Sequence, residues 1–515
     1  MEVDCSPEAN LPVKRPVLPL LPLWQRWLED LWKNKERIME LDKDLQARQE
    51  ARILAKAARD AQFKLREFSQ AQLDGICEAI AKDFWEASVE LAELAVHETG
   101  FGNAEDKTTK NRFASRRVWE AIREMKTVGV IHENRESRRW EVAVPKGVIA
   151  AIVPSTNPTS TVCYKALIAL KAGNAIVFSP HPKALVCTLR AVEIVAKAAE
   201  RAGAPKGCVS CLTVPSLEGC RELMQAEAVN LILATGGPAM VKAAYSSGKP
   251  AIGVGAGNGP AYIHSSADVS LALKQIMTSK TFDNGTVCAS EQSIIVERSL
   301  EERVRKEAKM QGFYFMSPCE ANALAKLLFK GNGALNPEIV GRNALYLAEK
   351  AGFSVPHDTK VLVAREEEAG PTRPYSMEKL CPVLAFYVMD SEDAVLRKVV
   401  EVLSHQGAGH TFAMHCNDEA VVRKFAQKVP VSRFLVNAPA ALAGIGAASH
   451  LFPALTLGCG SVGGSSSSNN ISPMDLLDTR RVAWGIQEPE EVCGCPKEDL
   501  VELITAKILE RLNTR

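Results

Sequence analysis

At 515 residues the chain is long enough to form two or more domains of ordinary size. A make-up of 46% hydrophobic and 24% charged residues is that of a globular protein, and a net charge of +1 argues against nucleic acid or an anionic membrane as the main partner. No apolar run is long enough to cross a bilayer, and 14 cysteines scattered along the chain make no disulfide framework, so a reduced, cytoplasmic setting is expected.

Residues 1–22 are Pro-rich and expected to be irregular; Leu18 to Leu23 is too short for a secretory leader and holds Pro19 and Pro22. Trp24, Trp27, Leu28 and Leu31 then recur at helical spacing as an apolar stripe. Residues 46–96 predict long Ala-rich helices with Phe63, Leu65, Phe68, Leu73 and Ile76 on apolar faces, and residues 100–140 are charged and mixed. Trp140 to Val144 alternates, as an edge strand or an arm does. Gly147 to Val153 is wholly apolar, the pattern of a strand buried on both faces of a parallel sheet. A helix over 160–170, a strand over 174–178, a helix over 185–202 and strands at 209–214 and 231–234 follow. This alternation predicts an open parallel α/β sheet.

The stretch Ile252 to Pro260, IGVGAGNGP, has no side-chain bulk, so its backbone is expected to lie against something. Alternation then restarts, with strands at 261–263, 293–296, 360–363 and 383–388 and helices at 269–277, 298–309, 320–328 and 391–403. Residues 458–470, GCGSVGGSSSSNN, predict a flexible polar loop, and 485–497 a linker. Lys497 to Arg515 is amphipathic, with Leu500, Val501, Ile504, Ile508 and Leu512 at helical spacing; it folds back on its own subunit or docks on a partner. The expected division is an N-terminal extension over 1–44, a nucleotide-binding α/β domain over 45–259, a second α/β domain over 260–455, a return segment and arm over 456–484, and a linker with helix over 485–515.

Cys288 lies among small neighbours in NGTVCAS, either as a covalent catalyst or as an ordinary buried thiol. There is no GxGxxG after the first strand and no GxxxxGK[ST]; Thr235-Gly236-Gly237 is an anion-binding turn or a plain one. No HExxH or carboxylate cluster is present, and neither Cys208 with Cys211 nor Cys493 with Cys495 supplies four ligands, so no metal is expected.

Seven separated motifs occur together: VPSTNPTST at 153–161, FSPHPKA at 178–184, ILATGGPAMV at 232–241, GVGAGNGP at 253–260, FDNGTVCASEQS at 282–293, MEKLCPVLA at 377–385 and TLGCGSVGG at 456–464. In that order they resemble the CoA-acylating branch of the aldehyde dehydrogenase superfamily. The likeness is greatest to the propionaldehyde and acetaldehyde dehydrogenases of bacterial microcompartments and to the aldehyde dehydrogenase half of bifunctional aldehyde-alcohol dehydrogenases.

The resemblance implies two open α/β/α domains with parallel sheets plus an oligomerisation arm. It implies an enzyme that oxidises a short aldehyde, propionaldehyde ahead of acetaldehyde, with NAD and coenzyme A, through a thioester on Cys288. Asn157 falls at the oxyanion-binding position, with the Cys288 N–H as second donor; the other reading is an Asn capping the helix that follows. Thr156 and Thr159 line the same pocket, with Thr286, Val287 and Ala289 on the substrate side. Hydrolytic relatives carry a water-activating Glu where this chain has Val254 beside Gly255, and no acid occurs anywhere in 251–260. That absence leaves the thioester for a thiol nucleophile.

For the cofactor, the resemblance implies Pro154, Ser155, Thr156, a phosphate loop at Thr235, Gly236 and Gly237, and Glu378 on the ribose hydroxyls with Pro382 fixing its backbone. Ser179 stands in place of a Lys, which favours NAD over NADP, while Pro180, His181 and Pro182 shape the adenine edge. Cys381 is expected to be structural and Glu291 to serve local polar packing. The resemblance also implies a homodimer or tetramer and microcompartment residence, with a terminal helix, C-terminal or Trp24 to Leu31, contacting shell or cargo proteins. Two rivals stand beside this reading: a hydrolytic aldehyde dehydrogenase releasing free acid, and a non-catalytic scaffold of the same fold.

Overall fold

Five parallel strands, in the order Val209–Cys211, Ala175–Ser179, Val148–Ile152, Val229–Thr235, Ala251–Val254, make the first sheet. A computed structural model describes residues 42–331, 333–485 and 497–513. The Trp24 to Leu31 stripe and the Cys493 and Cys495 segment lie outside the described residues. Val148–Ile152 is buried at every position, as its apolar run predicts for a central strand covered on both faces. One cover is the helix Pro158–Lys171, whose fourteen residues are all buried. Its Lys165 remains inside by donating to Ile152 O at 2.7 Å and Leu233 O at 2.8 Å. The helix Lys43–Leu65 packs on the strands Ala175–Ser179, Val148–Ile152 and Val209–Cys211, Leu185–Arg201 packs on Val209–Cys211, and Gln70–Glu86 packs on the helices Pro158–Lys171 and Leu185–Arg201.

The second sheet has seven parallel strands in the order Phe313–Phe315, Val361–Arg365, Val383–Met389, Glu291–Glu297, Gly259–Ile263, Gly409–His415, Val431–Val436. The last two strands and the helix Glu419–Ala426 between them extend the alternation beyond what the sequence pattern predicted. A third sheet is antiparallel, Gly129–Asn134, Arg139–Pro145 and Leu477–Ala483. Both parallel sheets lie within one unit, Lys43–Arg515. The expected α/β architecture is thus observed, with two parallel sheets flanked by helices and a separate antiparallel arm.

Of the two readings of Trp140 to Val144, edge strand or arm, the second holds: it lies in the middle strand of an antiparallel arm, paired on one side with Gly129–Asn134 and on the other with Leu477–Ala483. Two other expectations are corrected. Phe63 is 53% exposed, because its helix packs through Ala51, Ala55, Ala58 and Leu65 instead. The serine run is pinned rather than loose. Ser465 Oγ donates to Gly253 O at 2.8 Å and Ser466 Oγ to Ala251 O at 2.6 Å, satisfying carbonyls of a strand that stands at the sheet's edge among the described residues.

Candidate active site

The ends of several strands meet around a cavity of about 470 Å³ whose walls include Asn157, Thr235, Val254, Cys288 and Glu378. Asn157 is the residue before the first turn of Pro158–Lys171, where the first sheet's central strand hands over to its helix. Its side chain makes no capping bond there, so the capping reading of Asn157 fails. Asn157 Nδ2 donates instead to Thr286 O at 3.1 Å, on the loop that carries Cys288.

That loop is held in an unusual shape. Asp283 and Asn284 have φ of 49° and 50°, the left-handed region that costs a non-glycine residue about 1 kcal/mol or more. Five bonds hold Asp283 there. Its N–H donates to Asp106 Oδ2 at 2.7 Å, and its carboxylate accepts from Asn103 N, Lys107 Nζ, Lys110 Nζ and Thr286 Oγ1 at 2.6–2.9 Å. The turn that aims Cys288 is therefore bolted to the helix Ala104–Arg112.

Cys288 is half-buried on the cavity wall. Burial first, then the Glu378 and Cys459 charges, push its thiol up to about 12; Arg433 and the residue's own backbone N–H act in the opposite direction. The glycine-rich segment lies against it, as expected from its lack of bulk: a Cβ on Gly257 would fall 1.8 Å from Cys288 O. Glu378 Oε1 accepts from Gly257 N at 2.9 Å, and burial raises this carboxyl to about 7 against the pull of that N–H, Lys280 and Lys379. Glu378 is the one carboxylate among the residues lining the cavity. Val254, buried at the end of its strand, presents only methyl groups there.

Of the residues singled out by sequence, Pro154, Ser155, Thr156, Asn157, His181, Thr235, Gly236, Gly237, Val254, Gly255, Thr286, Val287, Cys288 and Glu378 share this one cavity. Others stand outside it. Thr159 is buried with its hydroxyl on Asn111 Oδ1 at 2.8 Å, and Thr161 reaches the cavity instead, because the helical turn carries position 159 to the far side. Ala289 packs toward Gly444. Ser179 and Pro180 are buried at the strand end, Pro182 is exposed, and Pro382 leads into the second sheet; none of the four lines the cavity. The cation at the rim is Lys183, beside His181, whose imidazole burial and Lys183 together hold below its ordinary value.

Sequence reading missed Lys110, Asp283 and Lys107. Their signal is the i, i+3 lysine pair in EDKTTKN, which places two cations on one helix face, together with an Asp three residues before a small-residue turn. Glu291 is buried, with Oε1 accepting from Ala440 N at 3.0 Å, and Cys381 is fully buried.

For a dinucleotide the observed walls are suitable. Gly237, at the start of the helix Pro238–Tyr245, has open space where a Cβ would be, so phosphate oxygens can approach that helix end. Glu378 lies at the Cys288 end of the same cavity, with two acceptors suited to a diol.

Comparison with known proteins gives a consistent picture. Residues 34–313 match the aldehyde dehydrogenase family. A bifunctional aldehyde-alcohol dehydrogenase of Escherichia coli (strain K12) is 46% identical over 440 residues, covering 84% of this chain and 49% of its own. This chain spans about half the length of the bifunctional relatives it matches. The crystal structure of an acetylating aldehyde dehydrogenase from Geobacillus thermoglucosidasius is 48% identical with a TM-score of 0.85, over 87% of this chain and 99% of that one. A propionaldehyde dehydrogenase from the Clostridium phytofermentans fucose utilisation bacterial microcompartment is 28% identical with a TM-score of 0.76, over 84% of this chain and 96% of that one.

Proposed function

The chain belongs to the aldehyde dehydrogenase family, in its CoA-acylating branch, and from that premise we propose that it oxidises a short-chain aldehyde with NAD and coenzyme A to an acyl-CoA. The observation that carries the proposal is the wall around Cys288. It holds an amide donor in Asn157, a methyl-faced Val254 where a water-activating acid would stand, and a single carboxylate whose Oε1 is already bonded to Gly257 N–H.

Cys288, once deprotonated, attacks the aldehyde carbon, and the carbonyl oxygen takes up the negative charge beside Asn157 Nδ2. Collapse of that thiohemiacetal releases a hydride and leaves a thioester on Sγ. The nicotinamide of NAD supplies the hydride acceptor. The CoA thiolate then adds to the thioester carbonyl, the same Asn157 donor holds the second oxyanion, and Cys288 leaves as thiolate with acyl-CoA released. Val254 keeps water without a base during the wait for CoA, and Gly255, with open space where a Cβ would stand, leaves room along the segment near Cys288.

Acetaldehyde and propionaldehyde are the candidate substrates. Likeness to an acetylating enzyme at 48% against 28% for a propionaldehyde enzyme brings acetaldehyde level with the propionaldehyde favoured by sequence alone. Two assembly readings accompany the activity. The antiparallel arm, with Val482 and Trp484 each 38% exposed, is the surface for a second copy. The C-terminal helix Lys497–Asn513 exposes Val501, Ile504, Ile508 and Leu512, a face suited to docking on microcompartment shell or cargo proteins. Deleting 497–515 then abolishes co-localisation with shells; retained co-localisation contradicts that role.

Peptide mass spectrometry after digestion tests the chemistry. Enzyme mixed with propionaldehyde and NAD but no CoA gains an acyl mass on the Cys288 peptide, and added CoA discharges it. No adduct on Cys288, or one that CoA leaves in place, contradicts the proposal.

A further inference from the structure

The Asn157 amide can be turned either way round, and only one way turns its NH2 to Thr286 O, on the loop that carries Cys288. Lys110 Nζ stands 2.6 Å from Asn157 Oδ1. An ammonium has donors only, so the atom facing it is the carbonyl oxygen, and Nδ2 is turned to Thr286 O at 3.1 Å and Thr156 Oγ1 at 3.3 Å on the cavity wall. Lys110 is 2% exposed. Its other two bonds go to Asp283 Oδ2 at 2.6 Å and Thr286 Oγ1 at 3.1 Å, so its three hydrogens have three partners from the helix start and the nucleophile loop.

The charge exceeds what pairing requires. Lys107 donates to the same Asp283 Oδ2 at 2.9 Å, so two buried ammonium groups face one carboxylate. Burying cations costs stability that apolar packing would spare, which makes a purely structural role an expensive solution. An ammonium on the carbonyl side of an amide draws electron density from its nitrogen and strengthens the N–H as a donor.

We infer that Lys110 is a positioning residue that locks the Asn157 amide with its NH2 toward the oxyanion and polarises it for that bond. The inference rests on the oxyanion role proposed above for Asn157. The groups facing Lys110 are Lys107 and Asp106 on its own helix, Asp283 and Thr286 on the nucleophile loop, Asn157, and the Phe282 ring at 5.4 Å. Burial lowers Lys110 to about 8, against the Asp283 charge, so the lock opens within an accessible pH range.

Steady-state kinetics of Asn157→Ala, Lys110→Met, the double variant and Lys110→Arg test this. Lys110→Met lowers kcat roughly 10- to 100-fold with the KM for NAD unchanged, and adds no further loss in the Asn157→Ala background. The wild-type kcat declines above about pH 8 as Lys110 loses its proton, whereas Lys110→Arg, which stays charged, lacks that decline. An unchanged Kd for NAD in each variant shows that the site is folded. Wild-type kcat in Lys110→Met, or losses that multiply in the double variant, overturn the inference. Should Lys110→Met fail to fold, an identical alkaline decline in wild type and Lys110→Arg overturns it. Full activity in Asn157→Ala alone instead overturns the oxyanion reading.

Discussion

Gly257 ties the nucleophile to Glu378, the one carboxylate among the described residues that line the cavity: its Cα side abuts Cys288 O, where a Cβ would intrude to 1.8 Å, and its N–H is held by Glu378 Oε1 at 2.9 Å. A methyl group there must push the Cys288 turn aside. Gly257→Ala is expected to lower kcat about 100-fold, since displacements near 1 Å at a reacting atom cost that much. The check is kcat together with the iodoacetamide rate at Cys288, which falls in parallel.

Glu378 opposes ionisation of Cys288. Glu378→Gln removes a negative charge that disfavours thiolate, so the Cys288 titration moves to lower pH and alkylation at pH 8 is faster than in wild type. On the expected role of Glu378 as acceptor for the ribose hydroxyls, the same change raises the KM for NAD. Iodoacetamide rates against pH and NAD-dependent kinetics report the two effects separately.

Val254→Glu places an acid on the cavity wall, at the position proposed above to lack a water-activating one. The expected outcome is aldehyde oxidation that proceeds without CoA and yields free acid, measured as NADH formation in CoA-free buffer, with a smaller share of product captured by CoA.

Asp283 anchors the nucleophile loop and answers two buried lysines. Asp283→Asn leaves both cations uncompensated and is expected to cost about 3–5 kcal/mol, visible as a lower Tm. The pH dependence follows from the sign of the shift. Burial acts upward on this carboxyl, but Lys110 and Lys107 outweigh it and hold the folded value below the ordinary one. Its stabilisation is thus complete above the unfolded carboxylate range and is lost as pH falls through the folded value. Asp283→Asn lacks that acid-side loss of stability.

How far the sequence reached depended on where each residue's partners lie. Val148–Ile152 was legible because a strand covered on both faces must be apolar throughout. The arm was legible in part, as the second reading of Trp140 to Val144 and as the segment 456–484, but its pairing was not, because Arg139–Pro145 is completed by Leu477–Ala483; the neighbouring Lys146 and Asp478 are 332 residues apart. The serine run was misjudged because composition suggests flexibility, while its hydroxyls find carbonyls on a distant edge strand. Cys288 and Asn157 were legible as motifs. Lys110 and Asp283 were hidden in charged surroundings, since only the folded chain shows that these charges are buried against one another. Ser179 was legible as a motif position but lies behind the cavity, and Lys183 is the side chain at its rim.

The central claim is that the acyl group leaves on CoA and not on water. The most direct measurement follows NADH formation from acetaldehyde or propionaldehyde with NAD, with and without CoA, and identifies the product by mass. Multiple turnovers only with CoA, with one acyl-CoA formed per NADH, is the predicted result. Sustained CoA-independent turnover to free acid would contradict it.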